Sequence, residues 1–132
     1  MKGITKSMIK EYRIKERGYD FMGYRLEKND IYTYHHLIIP RREGGGMTKE
    51  NGAILCGKTS HPYIHLIEAK DYELYKAITL KMIEENRRGQ IDIESIRFID
   101  DCLTYFEREN CSARNRKGKL LIREEYVRRD KF

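Results

Sequence analysis

The 132-residue sequence predicts an α+β fold in a single domain, residues 1–132. Two short runs carry the β part: a β-branched and aromatic stretch at 31–39 and a second apolar stretch at 53–56, with glycines between them, the pattern of paired strands. From residue 62 to 109 apolar residues recur every three or four positions, the period of amphipathic helices. A chain of this length supplies one modest core, too small for several domains.

Residues 4–17 place Ile4, Met8, Ile9, Tyr12 and Ile14 among charged side chains, which predicts an N-terminal helix ending before Gly18 and covering one side of the core. Residues 19–27 read as a strand and 28–30 as the turn before 31–34. Tyr32 and Tyr34 alternate, giving that strand one half-buried face, and packing with hydroxyl hydrogen bonds is the expected use of the rings. Pro40 lacks an amide donor and is expected to stop the strand. In Arg41-Arg42-Glu43-Gly44-Gly45-Gly46 the glycines permit positive φ and close backbone approach.

Residues 53–56 form the return strand and 57–60 a turn. Ser60 or His61 is placed to cap a helix, and Pro62 suits its first position, where no amide donor is needed. The helical period then continues through Ile64, Ile67, Tyr75, Ile78 and Met82 to Arg87-Arg88-Gly89, as one long helix or as two broken near Lys70-Asp71. A further helix is expected over 93–109, with Ile96, Ile99, Leu103 and Phe106 on its core face. The tail, 112–132, carries eight Lys and Arg residues against three carboxylates, so most of the chain's formal +6 charge is concentrated there. It reads as a solvated tail or as a phosphate-gripping arm.

The overall balance, 36% charged and 39% hydrophobic residues with a net positive charge, suits a phosphate-binding surface. Cys56, Cys102 and Cys111 are odd in number and form no C-x-x-C, which argues against a disulfide framework or a four-cysteine zinc site and fits a reducing compartment. No apolar run approaches the roughly 18 residues of a membrane span. The first residues, Met1 to Lys6, lack the apolar segment of a secretory signal, so the expected location is the cytoplasm of a host cell.

All four histidines fall between 35 and 65. His35 and His36 end the first strand, where neighbours point to opposite faces. His61 and His65 are four apart at the start of a helix, where both imidazoles face one ion. Between the pairs lie the glycine turn and Asn51.

This order, His-His, glycine turn, Asn, His-x-x-x-His, resembles the ββα-metal core of the HNH endonucleases, the His-Me finger, over about residues 30–70. A helical C-terminal extension at 71–110 and the basic tail at 112–132 lie beyond it. By that resemblance His36 is the general base, and His35, His61 and His65 are the ligands of one divalent ion. Asn51 matches the middle letter of the motif and is expected to fix the loop by bonding backbone groups across it. Imidazole nitrogen favours zinc, nickel or manganese over magnesium, which prefers oxygen. Arg41 and Arg42, with Arg114, Arg116 and Lys117 in the tail, are the expected nucleic-acid contacts. Bacteriocin nucleases of this variety carry a Glu two residues before the first histidine; here that place is Thr33.

The implied activity is metal-dependent hydrolysis of DNA phosphodiester bonds to a 3′-hydroxyl and a 5′-phosphate, in an enzyme of the kind carried by bacteriophages and other mobile elements. DNA is the implied partner, with no membrane, and a protein partner or homodimer is not legible. The alternative is a catalytically silent HNH-fold binding protein, such as a phage-encoded inhibitor of a host defence nuclease. An intact His36 argues against that reading, because a scaffold has no use for an unligated base. A structural zinc module is disfavoured because three histidines leave a fourth coordination position open.

Overall fold

In the computed structural model, residues 4–27, 31–89, 92–122 and 126 are described. Among them the chain runs α1 (Lys6–Glu11), α2 (Ile14–Arg17), β1 (Tyr32–His36), β2 (Gly52–Cys56), α3 (Ser60–Lys70), α4 (Tyr72–Arg88) and α5 (Ile93–Asn110), an α+β arrangement. β1 and β2 pair antiparallel, in register from Tyr32 opposite Cys56 to His36 opposite Gly52. α3 and α4 pack against β2, and α5 packs on α4. The core lies between these layers, filled by Ile54 and Leu55 of β2, Ile64 and Ile67 of α3, Ile78 and Met82 of α4, and Ile99, Leu103 and Phe106 of α5. The predicted turn at 28–30 lies outside the described residues, as do tail residues 123–125 and 127–132.

The predicted helix over 4–17 forms as two pieces. Met8 and Tyr12 share a helix face, but Ile14 would point away from it. A break with Arg13 in the left-handed region, φ +54°, turns Ile14 inward, so all three side chains are buried.

The strand predicted over 19–27 does not form. Asp20 Oδ1 accepts hydrogen bonds from the amides of Met22 and Tyr24, both at 2.9 Å, and this local bonding folds the chain back on itself. Only a single bridge between Tyr19 and Arg25 remains of the expected pairing. Asp20 Oδ2 accepts from the Cys56 amide at 3.0 Å and the Ser60 hydroxyl at 2.5 Å. One buried carboxylate thus ties the N-terminal segment to the end of β2 and the start of α3. Burial pushes its carboxyl up, and the four donors pull it down.

Because Ser60 serves Asp20, it is not the helix cap. Thr59 precedes the helix without a side-chain cap bond, and α3 begins at Ser60, so Pro62 stands within the first turn instead of opening it. β1 ends at His36, short of Pro40, because the Asn51 side chain takes the amides of Ile38 and Ile39. Of the two arrangements left open after residue 62, two helices form: Asp71 caps α4 by accepting from the Leu74 amide at 3.1 Å. α5 covers the predicted span and buries the predicted face.

The tail is neither free nor wholly solvated. Ile122 and Tyr126 are buried, the Tyr126 ring stacks on Tyr63 at 5.0 Å, and its carbonyl accepts from the Tyr24 hydroxyl. Arg114, Arg116 and Lys117 stand exposed on the turn before this return, which Asn115 closes by accepting from the amides of Lys117 and Lys119.

Asp20→Asn tests the knot between the N-terminal segment and α3. The amide keeps one acceptor oxygen and turns an NH2 group toward donors, so a loss of about 3 kcal/mol in urea unfolding is expected, against about 1 kcal/mol for Ser60→Ala. Equal, small losses for both would show that the carboxylate is not the anchor.

Candidate metal centre

The last two residues of β1 face opposite ways, as strand neighbours must. His35, 3% exposed, points inward toward α3, while the half-buried His36 turns to the glycine loop. α3 starts directly after the turn that follows β2, and its helical spacing puts His61 and His65 on one face. Their rings stack with centroids 5.0 Å apart. His35 stands edge-on to both, at 5.2 Å from His61 and 5.1 Å from His65. One nitrogen from each of the three lies within 4.8 Å of the others, close enough to hold a metal ion.

The remaining nitrogens explain how the rings are aimed. Thr33 Oγ1 is 3.0 Å from the Leu55 carbonyl and 2.7 Å from His61 Nδ1. Its single proton goes to the carbonyl when Nδ1–H of His61 donates to the oxygen, which leaves His61 Nε2 as an open lone pair. His65 Nδ1 is 3.1 Å from Glu68 Oε1, an acceptor when ionised, so His65 likewise offers Nε2. His35 Nε2 is buried and has no hydrogen-bond partner among the described residues. Such an orphan costs about 1–3 kcal/mol, and a bound cation is the partner that would satisfy it. The donor set therefore fits a metal ion held by His35, His61 and His65.

Electrostatics favour the ligating, neutral form. Burial lowers the His35 imidazole well below its ordinary range, and the other three histidines add to the effect. Burial and the neighbouring His65 lower His61 to about 4.

His36 is held differently. Its Nε2 is 3.2 Å from the Gly45 carbonyl. A carbonyl only accepts, so Nε2 carries the proton and Nδ1 presents a lone pair. The loop that supplies this carbonyl depends on two glycines: Gly44 takes φ +86°, and a Cβ at Gly45 would lie 1.9 Å from the Ile39 carbonyl oxygen. Asn51 bridges the same loop. Its Oδ1 accepts from Ile38 N at 3.1 Å and Ile39 N at 2.7 Å, and its Nδ2 donates to the Ile39 and Gly46 carbonyls at 3.0 Å and 3.1 Å. Asn51 is thus outside the histidine cluster and holds the loop that orients His36.

The four histidines open into a cavity of about 650 Å³, lined on the loop side by Arg41 and Arg42 and on the α4 side by Tyr72, Tyr75 and Lys76. Arg114, Arg116 and Lys117 do not line it. No protein-family model, curated protein or solved structure matches the chain. The site is legible from its own geometry.

The contact of Thr33 with His61, that of Glu68 with His65, and the α4 wall are the features of the site that sequence reasoning missed. Thr33 stands two residues before His35, on the same strand face, and Glu68 stands three after His65, on the same helix face. Those spacings were the available signal.

A base whose folded pKa is depressed contributes stability that is complete above its unfolded value and lost as pH falls through the folded one. For the metal-free protein the His61 contribution is therefore expected to fade between pH ~6.5 and pH ~4, by about 3 kcal/mol. Urea midpoints in chelator across this range should fall more steeply for the wild type than for His61→Gln. The difference isolates the imidazole from Glu85, which burial pushes up to about 8 and whose contribution runs the opposite way. Parallel curves would remove His61 as a buried neutral group.

Proposed function

We propose that the chain is a metal-dependent DNA endonuclease of the HNH type, with β1, the glycine loop, β2 and α3 as its ββα-metal core. One observation carries the reading. Three imidazoles come within 4.8 Å of one another, while His36, next in sequence to one of them, stands outside the cluster, lines the same cavity and is bonded through Nε2, which leaves Nδ1 as its lone-pair nitrogen. A binding scaffold needs the first feature only; hydrolysis needs both.

His35, His61 and His65 would hold zinc, nickel or manganese, which suit nitrogen ligands, more readily than magnesium. When bound, the ion supplies Lewis-acid charge beside the phosphoryl oxygens. His36 takes a proton from water through Nδ1, while its Nε2–H stays on the Gly45 carbonyl and fixes the ring. The water oxygen bonds to phosphorus as the bond to O3′ breaks, leaving a 5′-phosphate and a 3′-oxygen that is protonated from solvent. Asn51 acts as a positioning residue, since the loop it bridges carries the carbonyl that sets the His36 tautomer. Arg41 and Arg42 attract the flanking phosphates, and Arg114, Arg116 and Lys117 add a sequence-independent pull on the backbone.

Plasmid cleavage with manganese, nickel, zinc and magnesium in turn tests the proposal. The wild type should nick or linearise DNA with at least one ion. His36→Ala should lose roughly 10²- to 10⁴-fold in rate yet keep the ion-induced rise in melting temperature. Cleavage that survives in the variant sinks the assignment of the base, and no cleavage of either plasmid or single-stranded DNA by metal-loaded wild type sinks the enzyme.

A further inference from the structure

The α4 side of the cavity is a poor match for a closed DNA duplex, which turns phosphates and sugars outward and keeps its bases stacked inside. Tyr72, 57% exposed, and Tyr75 lie on that side with rings 5.7 Å apart and 30° from parallel. Tyr75 in turn stands edge-on to His35 at 6.3 Å. Aromatic rings therefore step outward from the histidine cluster to the surface without interruption. Lys76 Nζ lies 5.4 Å from the Tyr72 ring centroid.

The same cavity exposes aliphatic side chains: Ile38 is 54% and Leu80 61% accessible. Apolar surface facing a phosphate wall gains nothing, whereas the flat face of an unstacked base covers both aliphatic and aromatic surface. Cations are nonetheless present, Arg41 and Arg42 on one side and Lys76 on the other. Apolar and aromatic surface interleaved with cations is the chemistry of a single nucleic-acid strand, whose bases stack while its phosphates are neutralised.

We propose that Tyr72, backed by Tyr75, is a base-stacking subsite and that the site takes a DNA strand with unpaired bases in preference to closed duplex. This rests on the nuclease reading for its placement of the phosphate at the histidine cluster. The stacked base lies on the α4 side, and Lys76, whose ammonium pairs with the exposed Glu73 at 3.0 Å, exchanges that partner for a phosphate beside the base.

Binding is measured by fluorescence anisotropy on the full chain in chelator, with a labelled single strand of about 12 nucleotides and a closed hairpin duplex containing the same sequence. The wild type should bind the single strand more tightly than the duplex. Tyr72→Ala should weaken single-strand binding roughly 5- to 150-fold and leave duplex binding within twofold, while Tyr72→Phe, which keeps the ring, should bind as the wild type does. Equal effects of Tyr72→Ala on both ligands, or no effect on either, overturn the subsite. Cleavage of both substrates by the manganese-loaded wild type separates the two readings. Duplex cleavage without Tyr72-dependent strand binding removes the subsite and leaves the nuclease. Tyr72-dependent strand binding without cleavage of either substrate supports the subsite and removes the nuclease.

Discussion

The peptide between His35 and His36 sets the demands on everything around it. Because a strand sends neighbours to opposite faces, one backbone step delivers an imidazole to the buried side and another to the solvent side of the same cavity. Neither position is useful unless the strand end is fixed, since a shift of one residue would exchange the two rings. The structure fixes it from three directions. Pairing with β2 sets the register, Asn51 takes over the amides of Ile38 and Ile39 where pairing stops, and Asp20 ties β2 to the start of α3. The helix that carries His61 and His65 is therefore referenced to the same strands as His35.

A second layer of side chains then decides which nitrogen each ring presents. Thr33 and Glu68 occupy the Nδ1 atoms of His61 and His65, and the Gly45 carbonyl occupies Nε2 of His36. The His61 and His65 rings and the proposed base are thus held in opposite tautomers by their surroundings. α4 supports the loop from below: Asn86 Nδ2 donates to the carbonyls of Lys49 and Gly52, each at 2.7 Å, at the end of the stretch that carries Gly45 and Asn51. Thr33, two residues before His35 on the same strand face, thus serves His61.

The histidine spacing, the glycine turn, Asn51 and the helical period of 62–109 were legible in the sequence because each depends on residues near in sequence or on a simple period. What escaped reading depends on contacts across the chain. Residues 19–27 have strand-like composition, yet Asp20 finds donors at its own segment and at Cys56 and Ser60, and the local bonds prevail over the β preference of Tyr19, Phe21 and Tyr24. The break at Arg13 follows from a core that needs both Tyr12 and Ile14, which a helix wheel alone does not show. The charge of the tail gives no sign that Ile122 and Tyr126 enter the core, where both are buried and Tyr126 stacks on Tyr63. Tyr75 reads as core stripe by period yet lines the cavity, and the new helix that starts after the break at Asp71 leaves Tyr72 exposed beside it.

The same arrangement gives the fold a support that does not depend on a metal ion. Small zinc modules lacking a core fold only when metal supplies the missing stability. Here the start of α3 is pinned by Ser60 to a buried carboxylate, and Tyr63, Ile64 and Ile67 of the same helix, which packs on β2 and α4, are fully buried in the core. His35 and His61 sit on the cavity side of this support, and the orphaned Nε2 of His35 is a local deficit, not a structural keystone. A site of that kind is preorganised: the three imidazoles stand together without an ion, and the energy of binding one would not be consumed in folding the helix that presents two of them. A preformed pocket with His65 exposed at its mouth leaves the solvent side of the cluster open, which is where a phosphate and a water would enter in the proposed reaction.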